Sequence, residues 1–429
     1  MPRVAVLTIG DELTSGRVVD RNASTLATRL RDAGIETPIH LTCGDDEDVI
    51  VRWLRTAHEA ADVVVTTGGL GPTDDDVTHA AVARWAGVEL ELHDDVLETI
   101  RHRFTDRGIV MPEPNRRQAM LPAGATVVPN PLGTAPGVVL EREGKWVVTL
   151  PGVPRELAPM LEETVVPFLR THFRIESVVK VRILKTFGFT ESRLAEILAG
   201  VSVPAHGGLR IGYRPIFPEI HLSLTASAAD EATAVAWISE YEERVRPLLG
   251  HRLWGVDDDE LAGVVLDGLR RGGLRLATAE SCTGGLVGKL LTDVAGSSDV
   301  YERGFITYTN EAKQDLLGVP PDLFAPGGAG AVSEACACAM ALGARERSAA
   351  DVAVSVTGVA GPSGGTADKP VGTVWIGVST RDGTSARMHF YPGPRSWVRT
   401  LSAYTAIDSI RRVVLQLPDL DPLARPPRR

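Results

Sequence analysis

The chain has 429 residues, more than one domain usually holds, and a hydrophobic fraction of 44% that is ample for buried cores. Its net charge of -10 argues against a protein that coats nucleic acid, yet leaves room for a small anion held by backbone N–H groups. Cys43, Cys282, Cys336 and Cys338 form no CxxC pair, no apolar run spans a bilayer, and MPRVAVLTIGDEL lacks the parts of a signal peptide. The expected setting is the reducing cytoplasm.

From the amino terminus, strands alternate with helices in the rhythm of an α/β domain. Val4–Ile9 reads as a strand, Asn22–Ala33 as a helix, Asp62–Thr67 as a buried strand and Asp76–Ala86 as a helix. A hairpin-like pair follows at Gly137–Glu141 and Lys145–Leu150, then a helix at Glu156–Phe168, so the first domain is expected to end near residue 170.

The strand at Asp62–Thr67 runs into Gly68-Gly69-Leu70-Gly71-Pro72-Thr73-Asp74-Asp75-Asp76. Gly68, Gly69 and Gly71 can wrap a phosphate with backbone donors. Asp75 and Asp76 suit a hard cation such as Mg2+ set against a pyrophosphate, and Asp11 and Glu12 offer carboxylates of the same kind. Helix capping by acids accounts for one aspartate; three in a row beside a glycine loop favour a metal. Asn130, in Pro129-Asn130-Pro131-Leu132-Gly133, adds a polar contact.

Residues 171–255 change character. Ser177–Lys185, Leu209–Tyr213 and Glu219–Thr225 read as strands, Glu191–Leu198 and Asp230–Leu249 as helices. This is a small α+β domain without concentrated chemistry. Acids at Asp257–Glu260 then suit the first helix of a last domain over 256–418. Its strands are expected at Leu274–Ala279, Gly304–Tyr308, Val352–Val356 and Gly372–Ser379, ahead of a polar tail at 419–429.

The strand Leu274–Ala279 leads into Glu280-Ser281-Cys282-Thr283-Gly284-Gly285 and a helix at Leu286–Thr292, where α/β folds place ligands. Gly284 and Gly285 let backbone approach a substrate, with Glu280 and Thr283 beside it, and free N–H groups here suit an oxyanion. Ser281 needs a base, and the last domain holds one histidine, His389. Lys313, after Tyr308-Thr309-Asn310-Glu311-Ala312, becomes such a base if burial lowers its pKa. Only six of 45 basic residues are lysine, so arginine is the cation this chain ordinarily uses. A third loop carries Thr357, Gly358, Gly361 and Gly364; it reads either as an ordinary turn or as exposed amides that suit a phosphate, and Lys369 beyond it either as a phosphate contact or as an exposed charge. Cys282 is the rival nucleophile but has no evident thiolate-making partner.

The segments AESCTGG at Ala279–Gly285, GSSxxYxxGFxxYxNEAK ending at Lys313, and GVAGPSGGTADKPVGTVW starting at Gly358 together resemble the CinA carboxy-terminal family of nicotinamide-nucleotide amidohydrolases. That resemblance covers Leu261 to Leu417 and implies a three-layer α/β amidase domain. It implies metal-free hydrolysis of nicotinamide mononucleotide to nicotinate mononucleotide and ammonia, with Ser281 as nucleophile and Tyr308 and Lys313 acting with it.

Residues 4–168 resemble the three-layer MoaB/MogA-like molybdopterin-binding fold as found in CinA proteins, carried by GPTDDDVT at Gly71–Thr78 and LPGVPRE at Leu150–Glu156. In full-length CinA proteins this implies a metal-dependent ADP-ribose pyrophosphatase. Asp20-Arg21-Asn22 departs from the family pattern, which has threonine at the middle position. The middle domain resembles the family's KH-like module but has no GxxG loop to clamp a nucleic-acid backbone. The resemblance also implies a homodimer, with small nucleotides rather than nucleic acid or membrane as partners. Two other readings stand beside it: a molybdopterin-binding or adenylyl-transferring protein, and a non-enzymatic competence-related factor.

Overall fold

In the computed structural model, residues 2–204 and 207–418 are described, so the tail at 419–429 lies outside the described residues. Contacts divide the chain into two compact units. One runs up to Val181 and takes in Ala226–Trp237; the other comprises Arg182–Thr225 and the chain from Ile238 onward.

In the first unit, six strands lie in the order Glu36–Cys43, Arg3–Ile9, Val63–Thr67, Lys145–Leu150, Gly137–Arg142 and Thr126–Val128. The first four are mutually parallel and the last two join antiparallel. Side chains alternate across a strand, and here both faces are apolar. Val4, Val6, Val63 and Val65 pack on Leu26, Leu30 and Leu157 on one side. Ala5, Leu7 and Val64 pack on Ile50, Leu54 and Val82 on the other. Helices on both faces of one sheet make three layers.

The second unit repeats this arrangement. Its sheet runs Tyr301–Ile306, Leu276–Glu280, Val352–Gly358, Thr373–Thr380 and Gly383–Phe390, the first three parallel and the rest antiparallel. Leu276, Val354 and Val356 face the helices Leu261–Gly272 and Arg395–Val414 through Leu266, Ala406 and Ile410. Ala277, Ala279 and Ala353 face the helix Glu334–Ser348 through Cys336 and Met340. A four-stranded sheet, in the order Leu209–Ile216, Glu219–Ala228, Val178–Phe187 and Leu253–Val256, forms the middle of the chain.

Some elements differ from the sequence reading. The strand expected at Gly304–Tyr308 lies at Tyr301–Ile306, which leaves Tyr308 in the loop ahead of the helix Asn310–Leu317. The helix expected from Asp76 starts at Thr78, after a turn in which the Thr73 N–H donates to Asp76 Oδ2 at 2.9 Å and its hydroxyl lies 2.5 Å from Asp75 Oδ1. Among the described residues, no helix is long and apolar enough to cross a membrane.

Candidate active site

The strand Leu276–Glu280 lies inside the second sheet, and the chain turns sharply at its carboxyl end. Gly284 and Gly285 take φ of 58° and 94°, conformations that any side chain would strain. The carboxylate of Glu280, only 2% exposed, accepts the backbone N–H groups of Gly285, Val287 and Gly288 at 2.8–3.0 Å. It therefore caps the helix Leu286–Thr292 from within the protein, and the expectation that it contacts substrate is corrected: its oxygens are spent on the turn.

Ser281 stands at the apex, and Lys313 Nζ lies 3.1 Å from its Oγ. The lysine comes from the helix Asn310–Leu317, whose start is fixed by Thr309 Oγ1 accepting from Ala312 N. Lys313 is 1% exposed and donates to the Thr307 carbonyl at 2.9 Å, with the Tyr308 and Thr309 carbonyls each at 3.4 Å. Burial pulls its pKa below the ordinary lysine value, against weaker upward pulls from Cys336, Cys282 and Glu311. A buried lysine next to a serine hydroxyl, with its pKa lowered, is placed to act as a general base.

The rivals fare worse. Burial pushes the Cys282 thiol up to about 12, which leaves it protonated. His389 lies on the strand Gly383–Phe390, lowered to about 4 by burial, and lines a cavity of about 370 Å³ whose lining does not include Ser281.

Tyr308 enters differently from expectation. Its ring is exposed and its hydroxyl accepts from Arg395 Nη2 at 3.0 Å rather than bonding to Ser281 or Lys313. The same guanidinium donates through Nη1 to the Gly361 carbonyl at 2.8 Å, and Arg399 Nη2 donates to the Thr283 carbonyl at 2.7 Å. Both arginines come from the start of the helix Arg395–Val414, and the sequence reading missed them. Their spacing of four, which puts both on one helix face, was the available signal.

In the third loop, the Thr357 hydroxyl donates to the Ala331 carbonyl at 2.7 Å. Gly358 is closely packed, since a Cβ there would meet Val374 Cγ2 at 2.7 Å. Gly361 and Gly364 take φ of 79° and 87° and shape the loop. Thr283 is fully buried and its hydroxyl has no partner. Lys369 Nζ donates to the Ala329 carbonyl at 2.6 Å.

In the first unit, Gly68, Gly69, Gly71, Glu12, Asp75 and Asp76 line one cavity of about 800 Å³, together with Arg21, Asn22 and Asp45. Asn22 Nδ2 donates to Thr67 Oγ1 and the Gly152 carbonyl, while its buried Oδ1 has no partner and can take a ligand's donor. Asp45, which the sequence reading missed, exchanges hydrogen bonds with Asp11: each backbone N–H meets the other's carboxylate. Burial, then the negative charges of Asp11, Glu12 and Asp75, raise its pKa against a backbone hydrogen bond. Among the described residues no three acidic, His or Cys side chains form a metal-holding group. Mg2+ needs only one or two carboxylates where phosphate oxygens and water complete its shell, so this acid-lined pocket still fits such an ion. Asn130 organises its loop: its amide donates to Ala135 O and Glu156 and its oxygen accepts from Leu132 and Gly133.

Two three-layer α/β units, one with a glycine- and acid-lined cavity and one with a buried Ser–Lys pair, define a multidomain α/β protein with two candidate sites. Family models match in order along the chain: a probable molybdopterin binding domain over 5–171, the damage-inducible protein CinA KH domain over 181–255 and the CinA C-terminal domain over 258–414. A CinA-like protein of Geobacter sulfurreducens is 45% identical over 96% of this chain and 99% of its own length. A second CinA-like protein, from Citrifermentans bemidjiense, is 45% identical over 96% of this chain and 98% of its own. A solved structure, the competence/damage inducible protein CihA from Agrobacterium tumefaciens, is 45% identical, with a TM-score of 0.34 over 35% of this chain and 91% of that one. The chain belongs to the CinA family.

Proposed function

We propose that the carboxy-terminal site hydrolyses the carboxamide of nicotinamide mononucleotide, giving nicotinate mononucleotide and ammonia. The observation that carries the chemistry is the 3.1 Å approach of a buried Lys313 Nζ to Ser281 Oγ. The choice of substrate rests on the resemblance of the three motifs to the nicotinamide-nucleotide amidohydrolases. Neutral Lys313 takes the serine proton as Oγ attacks the carboxamide carbon. The lysine then returns that proton to the leaving nitrogen, ammonia departs, and water cleaves the ester to free the acid.

The backbone N–H groups of Ser281, Gly284 and Gly285 are already bonded to Val356 O, Ser281 O and Glu280. Arg395 sets the Tyr308 ring and the Gly361 loop at the entrance, and neither residue moves a proton in this scheme. Chelator-treated protein incubated with nicotinamide mononucleotide should form ammonia and nicotinate mononucleotide one for one. Absence of both from folded protein would defeat the reading.

A second site is favoured by the amino-terminal cavity, whose unpartnered Asn22 Oδ1 and glycine loop suit a phosphate-bearing nucleotide such as ADP-ribose. One or two carboxylates of this cavity, Asp75 among them, would hold a divalent cation there with the phosphate oxygens completing its shell, and the ion would neutralise pyrophosphate charge. Magnesium-dependent release of AMP from ADP-ribose, lost in Asp75→Asn, is the test; a metal-independent rate or an unaffected variant would remove it.

A further inference from the structure

The last helix, Arg395–Val414, carries two stripes with different partners. Arg395 and Arg399, four apart, reach the Gly361 and Thr283 carbonyls and the Tyr308 hydroxyl at the candidate active site. Trp397, Tyr404 and Arg411 are spaced by seven residues, so they share one face; Trp397 points roughly 160° away from either arginine at about 100° per residue. Each residue of this second stripe meets the middle domain. Phe217 stacks on Trp397 with ring centroids 5.0 Å apart and planes at 29°. Phe187 meets Tyr404 at 5.9 Å, and Arg411 Nη2 donates to the His251 carbonyl at 2.6 Å. Phe187 and Trp254 also sit in the same buried core as Ala406, Ile407 and Ile410 of that helix.

Phe217 occupies the tip of the hairpin formed by Leu209–Ile216 and Glu219–Ala228. A large ring on a two-residue turn is a poor local choice, since Phe217 remains 48% exposed and Trp397 49% even when stacked. The pair falls at the helix's first turn, two residues from Arg395. Val398 ties the same turn to the unit's own core, and the Phe217–Trp397 pair is what adds the middle domain there, since the Tyr404 and Arg411 contacts lie two and four turns further on.

We infer that the middle domain is a positioning element for the carboxy-terminal site, and that Phe217, acting through Trp397, fixes the helix turn from which Arg395 sets Tyr308 and the Gly361 loop. Phe217 touches none of the reacting groups. The inference rests on the proposed amidase reading for its kinetic arm only. It gives this small domain a task that needs no nucleic-acid contact.

The test uses the full chain with Phe217→Ala and, as the conservative variant, Phe217→Trp. In Phe217→Ala, kcat for ammonia release from nicotinamide mononucleotide should fall about three- to tenfold with KM within about twofold, and Phe217→Trp should restore it. Hydrogen exchange, read on peptides covering residues 300–313 and 393–402, should quicken in Phe217→Ala and return to wild-type rates in Phe217→Trp. Wild-type exchange in Phe217→Ala would overturn the inference, as would a rate loss that Phe217→Trp does not recover. If the wild type itself releases no ammonia, the amidase reading fails while the exchange comparison still decides this one.

Discussion

Lys313 Nζ lies 3.1 Å from Ser281 Oγ and 2.9 Å from the Thr307 carbonyl, in a pocket that leaves the lysine 1% exposed. A charged ammonium there has lost its water and gains only neutral acceptors, and among the described residues no carboxylate pairs with it. Burial favours the free amine, and the free amine is the form that can take a proton.

The pH dependence follows with a definite sign. The working base is neutral Lys313, so kcat/KM should rise with pH through a pKa below the ordinary lysine value. Lys313→Met should remove that ascending limb and cost roughly a hundredfold or more in rate. Stability moves the same way: between the lowered pKa and the ordinary 10.5, the unfolded chain holds a proton that the folded one does not, so stability rises with pH in that window. Thermal melts against pH should show a shallower rise for Lys313→Met.

Glu280→Gln should destabilise rather than merely slow the protein. Its carboxylate serves three backbone N–H groups while almost fully buried, and an amide retains one acceptor oxygen and adds an unwanted donor. The expected loss is about 1–3 kcal/mol in denaturant unfolding. A wild-type midpoint would show that the turn does not depend on the charge.

Arg395 bridges Tyr308 and Gly361 with two different nitrogens of one guanidinium. A lysine offers no such fork, so Arg395→Lys should be nearly as impaired as Arg395→Ala, both losing about tenfold in kcat/KM. Steady-state assays that find Arg395→Lys equal to wild type would show that charge alone suffices.

Acid should unfold this chain early. His58, His79 and His389 are buried, and burial lowers each to about 4. In the unfolded chain they protonate near 6.5, so stability is intact above that value and is lost as pH falls from 6.5 toward 4. Replacing His389 with glutamine should make the fall in melting temperature over that interval less steep.

The sequence made part of this visible. A strand ending in Glu280-Ser281-Cys282-Thr283-Gly284-Gly285 before a helix is a local pattern, and Lys313 stood out because this chain otherwise prefers arginine. Partnerships that depend on side-chain direction stayed hidden. Nothing local says that Tyr308 turns its hydroxyl toward Arg395, 87 residues away, or that Glu280 spends its oxygens on the turn that follows it. The edge strand Glu36–Cys43 was also passed over, because every second residue of it is exposed and its interior has little apolar weight. Asp45 escaped for a related reason: its importance comes from facing Asp11 just past the ends of two neighbouring strands, and no spacing in the sequence announces that.

The most direct measurement compares ammonia release from nicotinamide mononucleotide by chelator-treated wild type, Ser281→Ala and Cys282→Ala. The account predicts that Ser281→Ala loses roughly a thousandfold or more while Cys282→Ala stays within about tenfold of wild type. Activity retained in Ser281→Ala and abolished in folded Cys282→Ala would contradict it.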